Sequence, residues 1–173
     1  NAPHDPRQAP KKFLNLYPIE KISIPVNYSP AHPYMYEIGN GPGLRDEALA
    51  PYPRSKYSVK KHIQEYYAII THLDEQVGKI ISHLENKKLL ENTYIIFTSD
   101  HGLSVGQHGL LGKQSLYDHS IRVPMIISGP KIKPNSSFNS DVYLQDIVPT
   151  TLDLANISVP DEMDFRSFYK LLI

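Results

Sequence analysis

The strongest constraint on the fold is a long apolar stripe that leads into a short β-branched run. Apolar residues between Val59 and Leu84 recur in alternating steps of four and three, which predicts one amphipathic helix with Ser58 as its N-cap. Asn92 and Thr93 interrupt this pattern, and residues 94–98, Tyr-Ile-Ile-Phe-Thr, are typical of a buried strand. Because such a succession is typical of layered folds that combine helices and strands, we predict the α/β class.

Proline dominates the chain before this helix. Ten of residues 1–57 are proline, which fixes φ, removes a backbone donor and disfavours helix, so we predict mostly extended loop there. Tyrosines lie among the prolines and indicate that the loop packs against something, since a disordered linker is poorer in aromatic residues. We predict a single partial domain over residues 1–173, with a proline-rich loop segment at 1–57 and an α/β core portion at 58–173.

A carboxylate and an imidazole follow the predicted strand. Asp100-His101-Gly102 falls where the strand ends, and ligands collect at the carboxyl ends of strands in open α/β sheets. An aspartate offers oxygen to a hard cation such as calcium, for which histidine is a less usual ligand. On these residues alone, an aspartate that caps the next turn beside a surface histidine explains the pair equally well. A glycine-containing loop follows, then a second predicted strand at 123–128 and a short helix at 146–155.

Charge and composition exclude several classes of partner. Lys and Arg number 18 and Asp and Glu number 18, so no net field attracts nucleic acid or an anionic membrane, and a bound anion needs a local site. We find no apolar run long enough to predict a membrane span. The chain has no cysteine, which excludes disulfides, thiolate metal sites and a cysteine nucleophile within it.

Ordered motifs over nearly the whole chain resemble one known family. The segments that carry the resemblance are Ala2–Pro6, Tyr66–Leu84, Thr98–Gly102, Gly106–Gly109, Gly112–Asp118, Ile121–Pro130 and Asp146–Ile157. Together they resemble the type I, formylglycine-dependent sulfatases of the alkaline-phosphatase-like superfamily. The resemblance implies a partial alkaline-phosphatase-like sandwich, with an incomplete, mostly parallel sheet flanked by helices.

The resemblance also implies roles for five residues. Asp100 and His101 would be calcium ligands, and His4 and Lys113 would contact sulfate oxygens or the leaving oxygen. Fixed cations and donors suit this reaction because negative charge develops on those oxygens in the transition state. His108 would line the substrate mouth, although a hydrogen bond that stabilises the loop explains it at least as well.

Five further charged residues receive structural expectations. Asp118 and Arg122 are expected to form an internal ion pair that braces the loop. The arginines Arg7, Arg45 and Arg54 form either a specificity rim or only a surface.

The chain also departs from the family pattern. It has no Cys/Ser-x-Pro-x-Arg motif, from which the family makes its formylglycine nucleophile, and it lacks the paired aspartates that supply further calcium ligands. We therefore expect a fragment, inactive alone, that binds calcium weakly and self-associates through uncovered sheet. Its parent would act on a sulfate ester, with sulfated glycans, aryl sulfates and choline-like esters all compatible. A periplasmic, secreted or lysosomal location is a family expectation.

Two other functions fit the same residues. One is a phosphoryl-transfer hydrolase of the same superfamily. The pattern around Lys113 favours the sulfatase over this alternative: Gly-Lys-x-Ser-x-Tyr-Asp. The other is a non-catalytic module that uses Asp100, His101 and Lys113 to hold an anion.

Overall fold

The computed structural model describes residues 2–173 and divides into two compact units. Unit 1 comprises Asn1–Lys87 and His101–Pro124, and unit 2 comprises Lys88–Asp100 and Met125–Ile173. This division does not test the single partial domain expected over residues 1–173, which stays a prediction.

Unit 1 is built around the long amphipathic helix. This helix, α2, spans Lys56–Asn86 and buries Val59, Ile63 and Ile69, so the predicted stripe is confirmed. Its N-cap is Ser55 rather than Ser58: the Ser55 hydroxyl accepts a hydrogen bond from the backbone N–H of Ser58 at 3.0 Å. The observed N-cap therefore lies three residues before the predicted one, because Ser55 has the extended conformation that an N-cap requires.

The proline-rich segment is mostly loop, as predicted, and it packs against α2. It contains helix α1 (Lys11–Leu14) and short 3-10 turns at Ile19–Lys21 and Glu47–Leu49. Tyr17 and Tyr28 pack against the core as expected, and the Tyr17 hydroxyl contacts Thr71 of α2 at 2.5 Å. Tyr34 and Tyr36 do not, since they are 62% and 71% exposed. The core of unit 1 joins this segment, α2 and the glycine loop through Ile22, Ala50, Val59, Ile63, Val105 and Leu111. Helix α3 (Asp118–Ile121) ends the loop that follows.

Unit 2 contains a small antiparallel sheet. Strands β1 (Ile95–Thr98) and β2 (Met125–Ser128) pair so that Phe97 faces Ile126. The mostly parallel arrangement predicted for the sheet was therefore wrong for these two strands. The chain reverses direction between them through the loop that contains α3, so Ile95 pairs with Ser128 and Thr98 with Met125. Phe97 is 41% exposed and Ile126 62% exposed, so β1 is not the buried strand that its composition indicated.

An acidic side chain joins two parts of the remainder of unit 2. Helices α4 (Ile147–Leu154) and α5 (Tyr169–Leu172) follow a 3-10 turn at Leu144–Asp146. Asp146 is the N-cap residue of α4, as predicted, but its carboxylate accepts hydrogen bonds from the backbone N–H groups of Tyr143, at 2.8 Å, and Arg166, at 3.0 Å. Asp146 therefore joins the start of α4 to the chain that precedes α5. Among residues 2–173, no helix combines the length and apolarity that crossing a bilayer requires.

Candidate active site

The loop after His101 has a compact fold that depends on glycine. A Cβ at Gly102 would lie 2.1 Å from the carbonyl oxygen of His119, and the N–H of Gly102 donates to the carbonyl of Ser120 at 2.8 Å. Gly109 has φ +79°, and a Cβ there would lie 2.5 Å from the carbonyl carbon of Ala31. The approach at Gly109 places this loop directly against the proline-rich segment.

A fully buried ion pair anchors the end of this loop. The Arg54 guanidinium lies 2.6 Å from the Glu47 carboxylate, and both side chains are 0% exposed. Glu47 also accepts hydrogen bonds from the backbone N–H groups of Leu111, at 3.1 Å, and Gly112, at 2.8 Å. Removing charges from water is costly, and these extra hydrogen bonds offset that cost. The backbone immediately before Lys113 is thereby fixed.

The Asp46 carboxylate contacts two side chains near Lys113. Its buried carboxylate accepts hydrogen bonds from Arg45 Nε and Gln114 Nε2, each at 2.9 Å, and one oxygen lies 3.7 Å from Lys113 Nζ. Burial alone would raise the pKa of Asp46, but the hydrogen bonds from Gln114 and Arg45 and the charge of Lys113 outweigh it, so the pKa lies below its usual value. Asp46 is therefore a carboxylate in the charged state beside Lys113.

The structure brings His4 and Lys113 together. Lys113 Nζ lies 3.4 Å from His4 Nε2, although 109 residues separate them in the chain. His4 Nδ1 lies 2.9 Å from the carbonyl oxygen of Asp5, which can only accept, so Nδ1 carries a proton. Nε2 is then the nitrogen that accepts from the ammonium of Lys113. Both groups are accessible, with His4 exposed and the Lys113 side chain 21% exposed.

Arg7 fixes the segment that carries His4. Its guanidinium pairs with Asp5 at 3.1 Å and donates to the carbonyl of Leu111 at 3.5 Å and to His62 Nδ1 at 2.9 Å. Burial and then the positive charge of Arg7 lower the pKa of His62 to about 4. His62 is therefore neutral at neutral pH and serves as an acceptor for Arg7.

Neither alternative given for the three arginines, a specificity rim or only a surface, holds for Arg7 and Arg54. Arg7 and Arg54 are buried, at 7% and 1% exposure, because each satisfies carboxylate and carbonyl oxygens inside unit 1. Arg45 alone is at the surface, where it pairs with Asp46. Asp118 and Arg122 do pair, at 3.4 Å, but their side chains are 75% and 79% exposed, so the pair is not internal. Neighbours four apart on the short helix α3 reach each other without being buried.

His108 belongs to a cluster of rings in unit 1. It has φ +54°, and the Asn27 side-chain amide donates to its Nε2 at 3.0 Å, so the loop-stabilising hydrogen bond is present. Its ring stacks on Tyr117, with centroids 4.2 Å apart and planes 12° apart, and His119 lies beside both. The cluster lines a shallow depression with the exposed Leu116. Substrate contact by His108 stays a prediction.

Asp100 and His101 fall on either side of the unit boundary. Asp100 is an exposed residue of unit 2, and His101 is a half-buried residue of unit 1. His101 Nδ1 lies 2.7 Å from the carbonyl oxygen of Gly102, which can only accept, so Nδ1 carries a proton. Calcium takes about 6–8 oxygen ligands. No group of three or more His, Asp or Glu side chains suited to a metal occurs among residues 2–173, so these residues do not complete a calcium site on their own.

Sequence reasoning missed Asp46 and Glu47. They stand in a loop with no periodic pattern, and their partners Gln114 and Leu111 lie more than sixty residues away in the chain. The only local signal was a pair of acidic residues close to Arg45 and Arg54 in an otherwise proline-rich and apolar stretch.

Comparison with known proteins points to one family. The family model described as "Sulfatase" matches residues 1–157. An arylsulfatase of Clostridium perfringens is 33% identical over 174 residues, which cover 98% of this chain and 35% of that protein. An extracellular sulfatase SULF-1 homolog of Drosophila melanogaster is 30% identical over 176 residues, which cover 99% of this chain and 15% of that protein. The chain spans about a third of the length of the first curated relatives that it matches.

Solved structures confirm the fold class. A phosphonate monoester hydrolase from Silicibacter pomeroyi superposes with a TM-score of 0.80 and 26% sequence identity, covering 98% of this chain and 35% of that chain. The predicted alkaline-phosphatase-like, α/β architecture is therefore confirmed, and the present chain represents part of it.

Proposed function

The chain belongs to the sulfatase family, and from that premise we propose that it supplies part of the active site of a sulfuric ester hydrolase. The observation that carries the proposal is the convergence of Lys113 and His4, with Nζ and Nε2 3.4 Å apart on accessible side chains. Because the chain spans about a third of its curated relatives, we assign the activity to the protein of which these residues would form part.

In this proposal Lys113 and His4 act on the oxygens of the sulfate group. Cleavage of the ester bond places negative charge on the peripheral oxygens and on the departing oxygen. The Lys113 ammonium is a compact charge that can donate to one of them. His4, once protonated on Nε2, can donate to the departing oxygen, so the alcohol leaves without a full negative charge.

The nucleophile and the calcium ion remain proposals. We propose that a formylglycine supplies the nucleophile from residues outside these 173. We also propose that Asp100 and His101 provide two ligands of a calcium ion whose other ligands come from the same source. Two ligands are too few for a preorganised calcium site, so the chain alone would hold the ion weakly.

His108 would line the entrance for the substrate. Its stack with Tyr117 presents a ring surface at a shallow depression, and its backbone is held in the left-handed region at φ +54°. Non-glycine residues in that region cost about 1–2 kcal/mol, and such strain concentrates at functional sites. A substrate with a ring, such as an aryl sulfate or a sulfated sugar, would stack there.

Hydrolysis of p-nitrophenyl sulfate tests the proposed function. The protein encoded by the complete open reading frame should hydrolyse this ester, whereas the purified 173-residue chain should stay at background. Hydrolysis by the chain alone would contradict the proposal that the nucleophile lies outside these residues. A complete protein without activity would contradict the proposed sulfuric ester hydrolase function.

A phosphonate or phosphate monoester hydrolase is the second candidate. The superposition on a phosphonate monoester hydrolase, with a TM-score of 0.80, favours it specifically. The ratio of kcat/KM for p-nitrophenyl sulfate to that for p-nitrophenyl phenylphosphonate separates the two, because the sulfatase should prefer the sulfate. A non-catalytic anion-binding module would instead show tight, stoichiometric binding of sulfate by the isolated chain in calorimetry.

Location and self-association are further proposals. The Drosophila relative is named an extracellular sulfatase, which supports export of the protein that carries this chain. Exposed Phe97 and Ile126 lie opposite each other on the sheet of unit 2, which supports self-association of the isolated chain through that face.

A further inference from the structure

Asp46 is a buried carboxylate whose two oxygens serve different partners. Its side chain is 3% exposed. Oδ1 is taken by Arg45, through Nε at 2.9 Å and Nη2 at 2.8 Å. Oδ2 accepts from Gln114 Nε2 at 2.9 Å and lies 3.7 Å from Lys113 Nζ. Asp46 therefore faces a surface arginine with one oxygen and the proposed sulfate-binding lysine with the other.

The distance to Lys113 is informative. At 3.7 Å the two charges attract, but the separation exceeds a hydrogen bond, so the ammonium keeps its protons for other acceptors. A lysine carries its charge on a flexible stem of four carbons and needs a fixed counter-charge to hold one direction. Because Asp46 is buried and held by two other side chains, it can provide that fixed charge.

The backbone around Lys113 is fixed from the same side. Glu47, the next residue after Asp46, accepts from the N–H of Gly112 at 2.8 Å. A Cβ at Gly112 would lie 3.2 Å from Asp46 Cβ, so the loop runs directly against Asp46. Gln114, which donates to Asp46, also accepts from the N–H of Lys113 at 3.1 Å. The main chain of Lys113 is thus fixed by the neighbours of Asp46, which leaves only the lysine stem to be oriented.

We propose that Asp46 is a positioning residue, which aims the Lys113 ammonium beside His4 at the oxygens of the sulfate ester. The inference rests on the proposed function of Lys113 and His4, and it adds a third residue that does not touch the substrate. Arg45 neutralises the outer oxygen of Asp46 from the surface, where its side chain is 70% exposed.

A double-mutant cycle on the complete protein tests the coupling. Asp46→Asn keeps the size of the side chain and removes its charge, and should lower kcat/KM for p-nitrophenyl sulfate about tenfold, because the Lys113 ammonium loses the fixed counter-charge that orients it. In a Lys113→Ala background the same change should have less than about twofold effect, because coupled residues are not additive. Equal losses in both backgrounds, or no loss in either, would overturn the proposal. Asp74→Asn makes the same chemical change at an exposed position of α2 and is the matched control, which should stay within about twofold of wild type.

Nitrogen NMR of the His4 ring gives a readout that needs no activity. In the 173-residue chain, His4 should be the Nδ1–H form with Nε2 accepting from Lys113, and both Asp46→Asn and Lys113→Ala should shift the Nε2 resonance in the same direction. Asp74→Asn, on the exposed face of α2, should leave it in place. A Nε2 resonance unchanged in Asp46→Asn but moved in Lys113→Ala would contradict the positioning role, even if the complete protein proved inactive towards sulfate esters.

Discussion

The two units differ in what holds them together. In unit 1, buried charged side chains connect distant parts of the chain. Four of them are less than 9% exposed and bind backbone or side-chain partners across the unit: Glu47, Asp46, Arg54 and Arg7. In unit 2, the described strands form only a two-stranded sheet with a large apolar pair exposed. The difference indicates that unit 1 carries a preorganised polar site, whereas the sheet of unit 2 resembles an element that other strands would normally cover.

The largest expected effect comes from the buried ion pair of unit 1. Glu47→Gln leaves Arg54 without its counter-charge at 0% exposure, and removal of one partner of a buried pair costs about 3–5 kcal/mol. The free energy of unfolding in urea, followed by circular dichroism, measures this loss. Lys12→Ala breaks a pair of similar length with Glu75 at the surface, and should leave the unfolding midpoint unchanged within error. Equal effects of the two changes would show that unit 1 does not depend on its buried charges.

The second prediction concerns the close approach of the glycine loop to the proline-rich segment. Gly109→Ala combines a left-handed backbone at φ +79° with a Cβ only 2.5 Å from the carbonyl carbon of Ala31. Gly39→Ala has a similar φ of +74° with nothing within 4 Å, so it measures the backbone cost alone. We expect about 1–2 kcal/mol for Gly39→Ala and clearly more for Gly109→Ala in urea unfolding. Equal losses would mean that the loop is not packed as closely as described.

The third prediction concerns the open face of unit 2. Ile126→Lys should weaken self-association of the chain at least about tenfold in sedimentation velocity, since burial of one such side chain contributes about 1.5–3 kcal/mol. Leu116→Lys changes an 88% exposed residue of unit 1 and should have no such effect. If the unsubstituted chain were monomeric, the exposed face of unit 2 would not be a self-association surface, and the two units would not differ in this respect.

The smallest expected effect is a pH dependence in unit 1. Burial and Arg7 lower the folded pKa of His62 to about 4 from 6.5, so between these values the unfolded chain binds a proton that the folded chain does not. The resulting stability is fully present above pH 6.5 and is lost as the pH falls towards 4. Relative to His62→Gln, the wild type should therefore lose stability on acidification in urea unfolding at several pH values. Because His62 is half-buried, solvent screens part of this effect. Parallel curves would contradict the burial of His62.

The sequence predicted the elements better than it predicted their surroundings. Helix α2 was predictable because its apolar period is local, and the strand at 95–98 because of its composition. The exposure of this strand was not predictable, because it depends on which other strands lie beside it. His4 and Lys113 came from the family resemblance, whereas Asp46 acts through partners that are distant in the chain, and no local pattern reports such a contact.

The central claim is that unit 1 supplies the charged residues that act on a sulfate ester. The most direct measurement is kcat/KM for p-nitrophenyl sulfate in the complete protein and its Lys113→Ala variant. We predict a loss of about 10²–10³-fold, as is typical when one donor to a developing oxyanion is removed. An unchanged unfolding midpoint would show that the fold survives. A variant within threefold of wild type would contradict the assignment of Lys113 and, with it, the account of unit 1 as the site of the chemistry.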